Sequence, residues 1–239
     1  MEFGMNAEKP VLTISRKSLG EAVAGLLREK IIKGQYSPGE RLIEEQLSNE
    51  LGISRFSIRD GLRILESEDL VVHEPNKQTR VVSFTQKKIE DIYTIRLALE
   101  TTSVDIIEAK GIPVTKLQLD AYTGELKKIR ECEKDIYEKL KNVDMQFHET
   151  LIRVADNQYC IKIWEMIKNQ ILMLYSQILK SDSSRSETYL DFAGKHHAII
   201  EALQAGAFAQ AKKELHVHMA TNTSFFLKAE NGKKAAVAD

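Results

Sequence analysis

The sequence predicts a mainly α-helical protein with two parts, an N-terminal winged helix-turn-helix followed by a six-helix antiparallel bundle. Up to Phe84, short helical segments alternate with turn-forming residues and end in two β-type runs. From Thr85 onward the strand signals vanish, and long segments with the 3.6-residue period of helices replace them. This change of pattern predicts a winged helix-turn-helix domain at residues 1–84, which the residues below indicate binds DNA, and an all-helical domain at residues 85–239.

The composition is typical of a soluble protein. Of the 239 residues, 43% are apolar and 29% are charged, with a net charge of −1. This charge indicates no polyanion partner for the whole molecule, but a local basic patch can still bind DNA. The two cysteines lack CxxC spacing, no apolar run approaches the ~20 residues of a membrane span, and the first ten residues lack the apolar core of a signal peptide. We therefore expect a cytoplasmic protein that does not contact membranes.

Two helices and a turn are predicted first. Ser18 and Glu21 have the spacing of a capping box, which begins a helix. Gly34 ends this helix, and the stretch YSPGE (36–40) forms a turn. A second helix is expected over about residues 43–51.

A third helix, capped by Ser54 and running to about Ser67, has the features of a DNA-reading helix. Its core face consists of apolar residues at helical spacing: Ile58, Leu62 and Leu65. A flank of the same helix carries arginines at four-residue steps: Arg55, Arg59 and Arg63. Arginine binds guanine or phosphate, and a helix N-terminus favours phosphate. A merely solvated face is the alternative, but the turn before the helix and the hairpin after it favour DNA.

The hairpin, or wing, is predicted from two short β-type runs, LVVHE (70–74) and TRVVSF (79–84), which are joined by PNKQ. The second part then divides into six helices at five breaks in the periodic pattern. The breaks fall at residues 111–113, near 140–142, at 156–157, at 181–186 and at 205–206. Short connections between long helices predict an antiparallel bundle.

Four residues of the helical part are candidate metal ligands. Asp144 and His148 lie one turn apart on one helix, a spacing that is too common to identify a metal site. Helical phase places His196 in an apolar stripe with Phe192, Ile199 and Leu203, and places His218 in one with Phe208, Ala211 and Leu215. The neighbouring histidines His197 and His216 fall on the flanks.

Buried polar side chains need partners, and one shared divalent cation would satisfy Asp144, His148, His196 and His218 together. Three imidazoles and one carboxylate suit Zn²⁺ best, and also Ni²⁺, Mn²⁺ or Fe²⁺. The alternative is a set of unrelated histidines that bond to neighbouring side chains.

The stretch IIKGQYSPGERLIEEQLSNELGISRFSIRDGLRILESEDLV (31–71) resembles the winged-helix domain of GntR-family bacterial transcription regulators. The matching positions are Gly34, Pro38, Gly39, Arg41, Leu42, Leu47, Ser54, Arg55, Arg59, Leu62, Leu65, Glu66 and Leu70. The resemblance implies double-stranded DNA as the partner. It also implies contacts to DNA from Arg41, Ser54, Arg55 and Arg59.

The third helix departs from the family pattern at its start and in its middle. Phe56-Ser57 stands where the family usually has Thr-Pro, and we count both residues as candidate DNA contacts. An exposed Phe56 can meet a thymine methyl group, or it can pack on the wing instead. Gly61 replaces an alanine that is usual in the family, which makes helix formation less favourable by about 1 kcal/mol. Asp69 replaces a glycine.

The wing also departs from the pattern, because Gln78 stands where glycine is common. Lys77 and Arg80 are its candidate contacts to phosphate or the minor groove.

The second part resembles the FCD ligand-binding domain that accompanies this winged helix in the FadR-type branch of the family, so the bundle is FCD-like. The similarity lies in IYTIRLALE (92–100), DMQFHETLIRVADN (144–157), HHAIIEAL (196–203) and AKKELHVHM (211–219). In metal-containing members, four residues of this pattern bind one cation. They map onto Asp144, His148, His196 and His218.

Arg96 stands in the R-x-x-x-E motif of this domain, four residues before Glu100. A helix-surface ion pair worth a few tenths of a kcal/mol is one interpretation. By resemblance, Arg96 holds the carboxylate of a small organic acid effector near the metal, since arginine binds carboxylates bidentately.

Together these observations predict a homodimeric transcription regulator, most simply a repressor, that binds a pseudo-palindromic operator and responds to a small organic acid. Two alternatives remain. In one the cation itself is the signal, and in the other the metal site belongs to an enzyme. No general base stands out in the sequence for an enzyme, and the N-terminal part would then lack a purpose.

Overall fold

The computed structural model describes residues 19–74, 78–130, 136–179 and 186–236. In chain order, its elements are α1 (Leu19–Ile32), β1 (Arg41–Leu42), α2 (Glu44–Leu51), α3 (Arg55–Ser67), β2 (Val71–Glu74), β3 (Gln78–Val81), α4 (Gln86–Ala109), a 3₁₀ turn (Val114–Leu117), α5 (Leu119–Arg130), α6 (Ile136–Val154), α7 (Gln158–Leu179), α8 (Ser186–Gln204) and α9 (Phe208–Ala236). The predicted fold class is confirmed: a winged helix-turn-helix precedes a bundle of long helices.

The winged helix is built on α1 and α3, which pack against each other, while α2 packs on α3. Gly52 takes a left-handed conformation (φ 64°) at the end of α2, and the side chain of Ser54 accepts a hydrogen bond from the backbone N–H of Ser57 at the start of α3. The predicted core face of α3 is buried, since Ile58 and Leu65 are 0% exposed.

The wing gains a strand that the sequence did not predict. β1 pairs antiparallel with β3, which pairs with β2, so the sheet order is β1-β3-β2. Two residues are too few to show a strand's alternation of polar and apolar side chains, so only tertiary pairing defines β1.

Gly61 lies where α3 crosses α1. A Cβ atom at this position would come within 2.6 Å of Val23 Cγ1 and 3.1 Å of the backbone nitrogen of Ala24. The glycine therefore allows a close approach of the two helices, which explains why the sequence tolerates its unfavourable helix propensity.

The helical part contains six α-helices among its described residues. α6 packs against α4, α5, α7 and α8, and α9 packs against α4, α7 and α8, so α6 is surrounded by other helices of the bundle. α7 also contacts α1 and thereby joins the bundle to the winged helix. No described helix is both long and apolar enough to cross a membrane.

One predicted break is wrong. α6 runs without interruption through residues 140–142, because Leu140 is buried and Lys141 pairs with Glu138 one turn earlier at 2.6 Å. The breaks at 111–113, 156–157 and 205–206 are confirmed. The predicted cap Ser18, the wing residue Lys77 and most of the break at 181–186 lie outside the described residues.

The close contact of α1 and α3 can be tested by replacing Gly61 with alanine. We expect Gly61→Ala to lower the free energy of unfolding by about 1–3 kcal/mol, because the new methyl group overpacks the contact with Val23. Gly25→Ala is the matched control, since its Cβ would meet only the end of Arg28 at 3.9 Å. We expect Gly25→Ala to raise the free energy of unfolding by about 0.5–1 kcal/mol, because alanine favours the helix more than glycine does. Urea denaturation measures the free energy of unfolding of both variants. If Gly61→Ala stabilises the protein as much as Gly25→Ala does, α1 and α3 do not approach closely at Gly61.

Candidate metal centre and nucleic-acid interface

The four candidate ligands meet in the centre of the bundle. α6 supplies Asp144 and His148, α8 supplies His196, and α9 supplies His218. All four are buried, with exposures between 0% and 2%. By contrast, the side chain of His197 is 59% exposed beside Glu201. Helical phase therefore separated the inward from the outward histidines correctly, because one residue turns a helix by 100°.

The ligand atoms lie within 4.8 Å of one another. His148 Nε2 lies 3.1 Å from His196 Nε2 and 3.2 Å from His218 Nε2. Asp144 Oδ1 lies 3.0 Å from His196 Nε2, 3.4 Å from His148 Nε2 and 3.9 Å from His218 Nε2. A tetrahedral ion with bonds of about 2.0–2.1 Å separates its ligand atoms by roughly 3.3 Å, so this donor set fits a divalent cation such as Zn²⁺.

Glu100 orients the cluster from α4. Its buried carboxylate accepts a hydrogen bond from His148 Nδ1 at 2.5 Å, which leaves Nε2 directed at the other ligands. A carboxylate on the far nitrogen of a histidine fixes the tautomer and the ring orientation that metal binding needs. The sequence showed Glu100 only as a partner of Arg96, because its contact with His148 spans 48 residues.

Arg96 is fully buried beside the ligands, so the predicted ion pair with Glu100 exists but does not lie on the surface. Its Nε donates to Glu100 at 3.0 Å, and its Nη2 donates to Asp144 Oδ2 at 3.4 Å. Nη1 is buried and has no hydrogen-bond partner among the described residues. The guanidinium also lies 5.5 Å from the ring centroid of Tyr93.

Electrostatics favours a charged carboxylate on Asp144 and neutral imidazoles on His196 and His218. Burial alone would raise the pKa of Asp144, but the charges of His148 and Arg96 hold it well below its usual value. Burial lowers the pKa of His196, and lowers that of His218 more strongly. At neutral pH these two histidines therefore offer nitrogen lone pairs to a cation.

His148 differs from the other two histidines. Burial and the charge of Arg96 lower its pKa, but the carboxylates of Glu100 and Asp144 outweigh them and raise it. At His148 a cation would therefore compete with a proton more than at His196 or His218.

Two further side chains contact the ligands and were not predicted. Tyr175 on α7 donates its hydroxyl to Asp144 Oδ2 at 2.9 Å. Asn222 on α9 is fully buried, and its Nδ2 lies 3.1 Å from His218 Nε2. Asn222 follows His218 by four residues, so the helical phase that placed His218 inward could also have predicted an inward Asn222. No sequence pattern near Tyr175 predicts its contact with Asp144, because the two residues are far apart in the chain.

The second candidate site is the outer face of α3. Arg55 and Arg59 have side chains that are 58% and 54% exposed. Each forms an ion pair with the first turn of α2, Arg55 with Glu45 and Arg59 with Glu44, the latter at 2.8 Å. The arginines are therefore held in place but remain accessible.

The hydroxyl groups of Ser54 and Ser57, at the start of α3, form a hydrogen bond with each other. Ser57 is only 9% exposed, and its Oγ lies 3.0 Å from Ser54 Oγ. Phe56, in contrast, is 77% exposed.

On the wing, Arg41 is exposed and lies opposite Arg80 in the β1–β3 pair. The guanidinium of Arg80 bonds to Glu74 and to the backbone oxygen of Gly39 at 3.0 and 2.9 Å. These contacts hold Arg80 within the wing.

Residues 19–81 match the family described as bacterial regulatory proteins, gntR family, and residues 91–221 match the FCD domain. The chain belongs to the GntR family. It is 32% identical over 216 residues to the gluconate operon transcriptional repressor of Bacillus subtilis (strain 168), covering 87% of this chain and 84% of that protein. It is 33% identical over 226 residues to the Bacillus licheniformis repressor of the same name, covering 90% and 88%.

Among solved structures, the fold is similar to that of a transcriptional regulator GntR from Rhodococcus sp. RHA1. The TM-score is 0.72 and the identity 25%, with 88% of this chain and 98% of that chain covered. These families and relatives are transcriptional regulators, so this GntR protein is a DNA-binding regulator of transcription and not an enzyme.

The metal centre can be tested with two adjacent histidines of α8. We expect His196→Ala to weaken Zn²⁺ binding by more than about 100-fold, beyond the roughly 10–100-fold associated with losing a partner of a ligand. His197→Ala should leave binding unchanged, because its side chain points outward. Elemental analysis of protein purified without chelator, followed by competition titration, measures both. Equal metal content in the two variants would exclude this site.

Proposed function

We propose that this protein is a homodimeric repressor whose affinity for its operator is controlled by a small carboxylate bound at a divalent cation in the helical domain. The observation that carries the proposal is the buried guanidinium of Arg96 beside a convergent set of three histidines and one aspartate. Buried charges without sufficient partners are costly, so such an arrangement indicates a ligand-binding site.

The ligand set defines what the cation would do. Asp144, His148, His196 and His218 would hold it, with Zn²⁺ preferred and Ni²⁺, Mn²⁺ or Fe²⁺ as alternatives. When bound, the cation supplies a positive centre for an anionic oxygen. Arg96 Nη1, which has no partner among the described residues, would donate to the carboxylate of the effector.

The relatives support an acid as the effector class. Both Bacillus proteins are named as repressors of the gluconate operon, and gluconate is a carboxylate. We therefore propose a sugar acid or another small hydroxylated organic acid for this chain, and repression as the direction of control.

A contiguous set of contacts connects the proposed effector site with DNA. Tyr175 bonds to Asp144, its helix α7 contacts α1, and α1 packs on α3. An effector shifts this arrangement only through different affinities for its two states. The domain boundary is proposed at Thr85, whose side chain caps α4 directly after the wing.

The nucleic-acid interface is proposed to consist of Arg41, Ser54, Arg55, Phe56, Arg59, Arg80 and, outside the described residues, Lys77. The candidate contact Ser57 is left out, because its side chain is buried and bonds to Ser54. In a dimer, two α3 helices would enter successive major grooves about 34 Å apart on a pseudo-palindromic operator. DNA phosphates or guanines would then replace Glu44 and Glu45 as partners of the arginines.

The cation as the signal is the second candidate, because its four ligands are enclosed and nearly inaccessible. Under this alternative, operator release follows the concentration of free metal, and no acid is needed.

Arg96→Lys tests the effector. Lysine keeps the charge beside Glu100 and Asp144 but loses the fork that binds a carboxylate. In the Zn²⁺-loaded wild type, an effector acid at 100 times its Kd should raise Tm by about 5–10 °C. In Arg96→Lys we expect unchanged metal content and a shift below about 2 °C. Thermal melting of the wild type and of Arg96→Lys, each with and without a panel of sugar acids and simple organic acids, measures the shift in Tm.

The control for this experiment is Arg153→Lys, because Arg153 is exposed on α6 and pairs with Glu149. It should keep the full Tm shift. If no acid shifts the wild type and operator binding follows metal alone, the metal-sensor alternative is correct.

Arg59→Ala tests the DNA interface. We expect it to raise Kd for the selected operator by roughly 5–150-fold, the equivalent of about 1–3 kcal/mol for a base-reading arginine. Arg153→Ala, which also removes one exposed ion-paired arginine, should bind the operator like the wild type. Fluorescence anisotropy at fixed salt measures both. An unchanged Kd for Arg59→Ala would remove α3 from the interface.

A further inference from the structure

The residues of α3 divide cleanly between two faces. Arg55, Phe56, Arg59, Arg63, Glu66 and Ser67 are exposed, and at 100° per residue they fall within an arc of about 120°. Ser57, Ile58, Gly61, Leu62 and Leu65 are buried on the opposite side. The outer arc is therefore free to enter a groove of DNA as one surface.

Phe56 is the large apolar side chain that this outer arc presents. It is 77% exposed, and α3, which is described over its whole length, carries no other exposed large hydrophobic side chain. This exposure excludes packing of Phe56 on the wing, the alternative that the sequence left open. The fold gives Phe56 no role in its core.

The surroundings of Phe56 indicate what covers it. Arg59 and Arg63 lie three and seven residues further on, so all three side chains follow one line along the helix. The hydroxyl of Ser57 bonds to Ser54 and does not compete for the same space. An apolar ring beside cationic side chains, in the first turn of the helix that reads DNA, fits a major groove whose backbone is anionic.

One base presents an apolar group in that groove. Thymine carries a C5-methyl group, whereas cytosine, adenine and guanine present hydrogen-bonding edges and no methyl group. Contact with Phe56 would remove both apolar surfaces from water. We propose that Phe56 is a specificity-determining residue that contacts the C5-methyl group of one thymine in each half-site of the operator.

This inference rests on DNA binding through α3 but not on the metal or the effector. It differs from the role of the arginines, because a methyl contact depends on the identity of the base and hardly on salt. Arginine contacts to phosphate weaken as salt is added.

Uracil scanning of the operator tests the proposal. The operator is first selected from random DNA with the metal-loaded full-length protein, and each thymine is then replaced in turn by deoxyuridine, which lacks only the methyl group. At one position per half-site, we expect the wild type to lose about fourfold in affinity, and about fifteenfold when both half-sites are substituted, as for one buried methyl group each. Phe56→Ala should bind the thymine and uracil operators equally.

Two controls isolate the methyl contact. Phe56→Leu keeps an apolar side chain and should restore part of the uracil effect. Tyr159→Ala removes another aromatic ring that is 77% exposed, but on α7, and should leave the uracil profile of the wild type unchanged.

The outcomes separate this inference from DNA binding itself. If the wild type binds the operator and every uracil effect persists in Phe56→Ala, the methyl contact is wrong while DNA binding stands. The same holds if no position responds to uracil. If Arg59→Ala also binds like the wild type, α3 is not the reading helix and both proposals fail.

Discussion

The burial of charge inside the helical bundle is the constraint on which the rest of the structure depends. Arg96, Glu100, Asp144 and His148 are all nearly or fully enclosed, and each would be destabilising alone. They are tolerated because the guanidinium bonds to both carboxylates, while Glu100 also binds the imidazole. α4 and α6 must therefore keep their relative positions, and any cation or acid that enters acts on groups that have little freedom to move.

The same constraint connects the two parts of the chain. α7 lies between the charged cluster and the winged helix, since Tyr175 bonds to Asp144 and the same helix contacts α1. α1 in turn crosses α3 closely at Gly61. Closely packed helices shift as units more readily than they deform, so the proposed mechanism would transmit a small rearrangement at the cluster to α3.

Ion pairs hold the exposed arginines of α3 in a chain whose net charge is −1. Glu44 and Glu45 hold Arg59 and Arg55 in the absence of DNA, and exposed pairs of this kind contribute little stability. The proposed exchange of these ion pairs for contacts with DNA would therefore cost little free energy. The pairing also lowers the local positive potential, which favours a partner that offers specific contacts over any polyanion.

The sequence by itself determined the two-part fold, the position of the third helix and the inward direction of His196 and His218, because each depends on local periodicity, capping or helical phase. It misplaced the break near residue 140, where an ion pair and burial keep α6 intact. Only the tertiary structure decided that Arg96 is buried, that Glu100 orients His148, and that Tyr175 holds Asp144. Contacts between residues far apart in sequence arise from packing, and local patterns carry no information about which side chains will meet.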